Sequence, residues 1–87
     1  MTRRDRLLAR LLSSSADRNI RFDDLRGILR ALGFDGRIRG DHHIFTRDGI
    51  VEIVNLQPRE GRMAKSYQVR QVRDIIVAYK LGGEQLP

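Results

Sequence analysis

An α+β fold is predicted by three features of the sequence. Apolar residues recur at helical spacing in three stretches, beginning near Arg3, Phe22 and Val69. Between the second and third stretch the pattern changes to short runs of β-branched and aromatic residues. Arg39-Gly40-Asp41 and Arg47-Asp48-Gly49 interrupt those runs, and glycine beside aspartate is what a tight antiparallel turn favours. With 87 residues the chain supports one domain with one small core, near the lower end of what folds alone.

The first helix places Leu7, Leu8, Leu11 and Leu12 at helical spacing with arginines around them. Ser13-Ser14-Ser15 ends it, and the polar stretch through Asn19 reads as a linker, which separates residues 1–19 from a core domain at 20–81. The serine triplet has no histidine near it in sequence, so it is not a nucleophile candidate. In the second helix Phe22, Leu25, Ile28, Leu29 and Leu32 form a stronger stripe, Asp23 and Asp24 sit where the helix dipole favours them, and Gly33 supplies the stop. Gly27 inside this helix costs up to about 1 kcal/mol relative to alanine and is expected to mark close packing against another element.

Residues 34–39, 42–46 and 50–56 read as three strands of an antiparallel meander. The third is apolar except for Glu52 and Asn55, which suits a strand partly covered on both faces. Residues 57–66 carry Pro58, Gly61, Arg59, Arg62 and Lys65 against the single acid Glu60 and read as a mobile basic loop. Val69, Val72, Ile75, Ile76 and Tyr79 define the last helix, opened near Ser66 or Tyr67 and closed by Gly82-Gly83, with residues 82–87 as a C-terminal tail that is frayed from Glu84 onward. The expected core is therefore α-β-β-β-α, with two helices on one face of a three-stranded antiparallel sheet, plus an extra N-terminal helix. This is the arrangement of double-stranded-RNA-binding domains.

Gly40-Asp41-His42-His43-Ile44-Phe45 holds both histidines of the chain. Neighbouring strand residues point to opposite faces, so His42 goes with Ile44 and His43 with Phe45. Phe45 belongs in the core, which puts His43 on the covered face and His42 on the open one. A metal centre is not expected: adjacent strand residues diverge, there is no cysteine, and no His-x-His or His-x-x-His spacing occurs. No cofactor is called for, and Asp48 and Glu52 read as turn and solvent-face residues rather than a carboxylate pair.

The formal charge is +6, and arginine supplies 15 of the 17 basic residues. A guanidinium forks onto phosphate oxygens as an ammonium cannot, so a polyanion is a natural partner. The absence of cysteine fits a reducing cytoplasm. No apolar run approaches the roughly 20 residues of a membrane span, and the segment leading into Leu7-Leu8 is too short and too charged for a signal peptide.

These residues resemble the HicA family of small mRNA-interferase toxins. Phe22-Asp23-Asp24-Leu25 opening a helix, Leu32-Gly33-Phe34 closing it, and the segment from Arg39 to Phe45 are similar to that family's pattern, whose usual form is Gly-Ser-His-His-x-Phe. Tyr67-Gln68-Val69-Arg70-Gln71-Val72-Arg73 is similar to the start of the closing helix in one branch of the family, so the resemblance spans roughly residues 20 to 80. It implies a double-stranded-RNA-binding-like fold, cleavage of mRNA, and neutralisation by a HicB-type antitoxin. It also implies that His42, the first histidine of the pair, is catalytic. Asp41 stands where the family usually has serine, next to the expected site of phosphate approach.

The expected chemistry is cleavage through the 2′-hydroxyl, with His42 as general acid or general base and water or a second residue supplying the other proton transfer. Arg37, Arg39 and Lys65 are candidates to stabilise the phosphate, and Arg59 and Arg62 to grip neighbouring phosphates. Gly40, Asp41, His43 and Phe45 support the motif. A non-catalytic RNA-binding domain, or a module for an acidic protein partner, is the alternative. The N-terminal helix has three open uses: packing on the domain, self-association or contact with the antitoxin.

Overall fold

The computed structural model describes residues 2–13 and 17–82; the middle of the expected linker and nearly all of the expected tail lie outside them. The helices are α1 (Arg3–Leu12), α2 (Phe22–Ala31) and α3 (Ser66–Ala78). The strands are β1 (Asp35–Arg39), β2 (His42–Thr46) and β3 (Val54–Leu56), antiparallel and in the order β1-β2-β3. The described residues are thus α+β, with three α-helices and a three-stranded antiparallel sheet.

Helix α1 starts at a reciprocal cap: Thr2 Oγ1 accepts from the Asp5 amide and Asp5 Oδ2 from the Thr2 amide, each at 3.1 Å. Leu11 is buried, Leu7 and Leu8 pack beside it, and Leu12, expected in the same stripe, is exposed. Of its three open uses, α1 takes the first and packs on the domain. Arg3 pairs with Asp24 of α2 at 2.9 Å, and Arg73 of α3 grips Asp17 through two hydrogen bonds of 2.6 and 3.2 Å.

Helix α2 buries Phe22, Leu25, Ile28 and Leu29. It ends in a Schellman motif: Gly33, at φ +90°, donates to the Arg30 carbonyl and Phe34 to that of Leu29, both at 3.0 Å. The expectation for Gly27 fails. It is exposed, and a Cβ built there would meet nothing within 4 Å. Helix α3 ends the same way, yet the left-handed position is Lys80 at φ +55°, ahead of the expected Gly82-Gly83.

In the sheet Gly36 faces Phe45, Arg37 faces Ile44, and Arg39 faces His42 across β1 and β2. Val54 and Leu56 of β3 lie beside Phe45 and His43. Phe45, Val54 and Leu56 are fully buried and join α2 and α3 in a single core, so the helices cover one face. Gly36 serves this packing, since a Cβ there would lie 2.6 Å from Phe45 Cε2.

The third strand is shorter than expected. A turn does close at Arg47, whose carbonyl accepts from the Ile50 amide at 3.1 Å, but pairing resumes only at Val54. Val51 and Ile53 are exposed, and among residues 50–53 Ile50 alone packs on the core. The segment is tied instead to the end of α3, where the Tyr79 hydroxyl donates to Glu52 at 2.7 Å.

The basic loop is fastened rather than loose. Its 3₁₀ turn, Glu60–Arg62, is closed by the Arg59 amide on the Met63 carbonyl at 3.0 Å, and the Ala64 amide reaches the Ile20 carbonyl at 2.9 Å. Gln68, only 3% exposed on α3, accepts from the Gln57 amide at 3.4 Å and donates to the Asn55 carbonyl at 3.3 Å.

Candidate functional site

Side-chain alternation along the sheet leaves Arg37, Arg39, His42, Ile44 and Asn55 on the face away from the helices. His42 stands at the β1–β2 turn, where Gly40 at φ +61° occupies the first central position of a two-residue hairpin. Its side chain is 46% exposed, enough for a polymer to reach the ring.

One imidazole nitrogen is committed. His42 Nδ1 lies 2.9 Å from Asn55 Oδ1. The other, Nε2, lies 3.7 Å from Asp41 Oδ1. Asp41 is itself held through its second oxygen, which accepts from Gln57 Nε2 at 2.7 Å, and Lys65 Nζ donates to Gln57 Oε1 at 3.2 Å. The hydrogen bond from Gln57 holds the Asp41 carboxyl below its ordinary value, so it is a carboxylate near neutral pH. A connected polar chain therefore runs Lys65, Gln57, Asp41, His42, Asn55.

Arg39 is the direct cross-strand neighbour of His42, a placement that brings Cβ atoms to about 4.5–5.5 Å, and Arg37 lies one pair further along the same face. A hollow of about 360 Å³ opens beside them, lined by Asp35, Gly36, Arg37, Ile44 and Thr46. Four of the expected residues thus share one surface: His42, Arg37, Arg39 and, through Gln57, Lys65.

Arg59 and Arg62 do not join them. Arg59 donates to the Arg18 carbonyl at 2.9 Å and that of Ala64 at 3.3 Å. Arg62 lies over the Phe22 ring, 5.8 Å from its centroid, with Nη2 3.4 Å from Asp23.

His43 occupies the covered face as expected and meets Phe22 edge to face at 5.0 Å. Its Nδ1 is buried and has no hydrogen-bond partner among the described residues. Burial pushes the imidazole below its ordinary value, and Arg26 and Arg62 act in the same direction. It is a packed, neutral ring and offers no second proton carrier to the open face.

Asn55, Gln57 and Gln68 are the site residues that sequence reasoning missed. Asn55 carried a weak signal as a polar residue in an apolar run, but its partner depends on the pairing register. Among the described residues no three His, Cys, Asp or Glu side chains gather as a metal site, and no helix is long and apolar enough to cross a membrane. Comparison with protein-family models, curated proteins and solved structures gives no match.

Proposed function

We propose that this protein is a HicA-like endoribonuclease, the toxin of a type II toxin–antitoxin pair, which cleaves mRNA in the cytoplasm through His42 and is held inactive by a HicB-type antitoxin. The observation that carries the reading is the 2.9 Å contact between His42 Nδ1 and Asn55 Oδ1 on an open, arginine-bearing sheet face. An amide oxygen only accepts, so Nδ1 keeps its hydrogen and the neutral ring has its lone pair on Nε2. Asn55 thereby fixes both tautomer and ring plane.

In this mechanism Nε2 takes the proton of a ribose 2′-hydroxyl. The 2′-oxygen attacks the adjacent phosphorus, the bond to the 5′-oxygen breaks, and the leaving oxygen takes a proton from water or a second group. The products are a 2′,3′-cyclic phosphate and a 5′-hydroxyl. Arg39, Arg37 and Lys65 offset the charge that grows on the phosphorane oxygens. The order α2, β1, β2, β3, α3 is that of double-stranded-RNA-binding domains with α1 added, which favours RNA as the ligand class.

The test is cleavage of a purified mRNA by the wild type and His42→Ala with chelator in excess. General acid–base catalysis is worth about 10²–10⁴-fold, so the substitution should remove nearly all cutting while RNA binding persists. A 3′-hydroxyl product, or equal cutting of DNA, rules out the mechanism. Equal cleavage by both proteins removes His42 from it, and RNA bound but cut by neither points to a non-catalytic RNA-binding domain. A small antitoxin-like reading frame beside this one, whose product blocks cleavage, is the expected partner.

A further inference from the structure

Arg18, Arg59, Lys65, Ser66 and Tyr67 line a hollow of about 420 Å³. They come from three parts of the chain: the segment before α2, the loop after β3, and the first turn of α3. Among the described residues no acidic side chain lines the hollow, and none of the three cations has a carboxylate in ion-pair range. Arg59 is set in position, because its Nε and Nη2 are spent on the carbonyls of Ala64 and Arg18, which leaves Nη1 to bond a ligand. Tyr67 is 57% exposed, so a large part of its ring is open to a planar ligand. Three cations without a direct ion pair, beside an open aromatic ring, match a phosphate joined to a base, and the volume falls within the roughly 300–1,000 Å³ of small-molecule sites.

We propose that this hollow seats one unpaired nucleotide of the RNA, its base stacked on Tyr67 and its phosphate held by Arg18, Arg59 and Lys65. The proposal rests on the ribonuclease reading and gives it a second contact point. Lys65 lines the hollow and also belongs to the polar chain that passes through His42, so the nucleotide seated here lies on the same strand as the one cut. Because a base inside a duplex has no free face, the site selects single-stranded RNA.

The test uses a short single-stranded RNA with every 2′-hydroxyl methylated, which binds but cannot be cut, and a duplex of the same sequence. Tyr67→Ala should weaken binding of the single strand about tenfold and leave the duplex unchanged, with Tyr67→Phe within about twofold of wild type. Arg18→Ala should weaken binding and make its salt dependence shallower by about 0.7 in the log–log slope, the share of one phosphate. Wild-type affinity in both Tyr67→Ala and Arg18→Ala, while His42→Ala still abolishes cleavage, overturns the subsite and leaves the ribonuclease reading intact. No RNA binding by the wild type overturns both. Loss of binding to polyglutamate in these variants, with RNA binding unaltered, assigns the hollow to an acidic polypeptide and overturns the proposal.

Discussion

His42 of β2 and Asn55 of β3 are joined diagonally across the sheet, Nδ1 to Oδ1 at 2.9 Å, so the ring that carries the proposed chemistry is oriented by the strand furthest from its own turn. Asn55→Ala leaves the imidazole free to rotate and to take the wrong tautomer. We expect kcat to fall by about 10- to 100-fold with RNA affinity unchanged, because misplacement by about 1 Å costs up to that much. A loss confined to RNA binding would place Asn55 in contact with the substrate instead.

Asp41 sets a negative charge 3.7 Å from His42 Nε2, where a phosphate must approach. Asp41→Ser removes that repulsion and the carboxylate that Gln57 Nε2 bonds, while Lys65 keeps its bond to Gln57 Oε1. RNA should bind a few-fold more tightly, most clearly at low ionic strength, where surface charge is least screened. Titration at two salt concentrations reads this; an affinity unchanged at both shows that the phosphate takes another path.

Stability should fall on mild acidification because of His43. Burial against Phe22 lowers its folded value, helped by Arg26, Arg62 and Arg30 and opposed by Asp23. The unfolded chain therefore takes up the proton more readily. The stabilisation is complete above the ordinary value near 6.5 and is lost as the pH falls from there through the folded value. His43→Phe keeps a ring edge on Phe22 and removes the titration. Urea midpoints at pH 7.5 and 5.5 should converge in this variant and diverge in the wild type.

Two glycines should respond to alanine with opposite signs. At Gly27 the methyl meets open space in a helix interior, so Gly27→Ala should add up to about 1 kcal/mol, or roughly 4–8 °C in Tm for so small a domain. At Gly36 the methyl meets the Phe45 ring, and Gly36→Ala should cost about 1–3 kcal/mol. Thermal melts of the two variants test both signs in one experiment.

The helices were legible because each carries its own period: Phe22, Leu25, Ile28 and Leu29 of α2 are buried, as are Val69, Val72, Ile75 and Ile76 of α3. The faces of β2 were legible too, since Phe45 had to be inside and alternation did the rest. Register was not. Strands ending at Thr46 and restarting at Ile50, paired directly across the three-residue turn Arg47-Asp48-Gly49, would set Phe45 against Val51, whereas Phe45 lies against Val54. That shift of three is odd, so it exchanges the two faces of β3 and sends Val54 and Leu56 inward in place of Val51 and Ile53. Asn55 reaches His42 only as a result. The anchoring of Arg59 and Arg62 was not legible for a related reason: a run of basic residues in a loop does not reveal which backbone carbonyls or rings will claim its guanidiniums.

Gln68 has a consequence for how the sheet can grow. The carbonyl of Asn55 and the amide of Gln57 point to the same side of β3, and the Gln68 carboxamide meets both with one donor and one acceptor. A further strand would offer that same pair, so a buried side chain acts as a one-residue surrogate for it and blunts this margin of the sheet. β1 has no such cover among the described residues, and its outer margin is guarded only by the charges of Asp35, Arg37 and Arg39. Growth of the sheet, whether by an incoming peptide or by a second copy, is therefore directional, and the strand that would accept it is the one that carries Arg39, the residue facing His42.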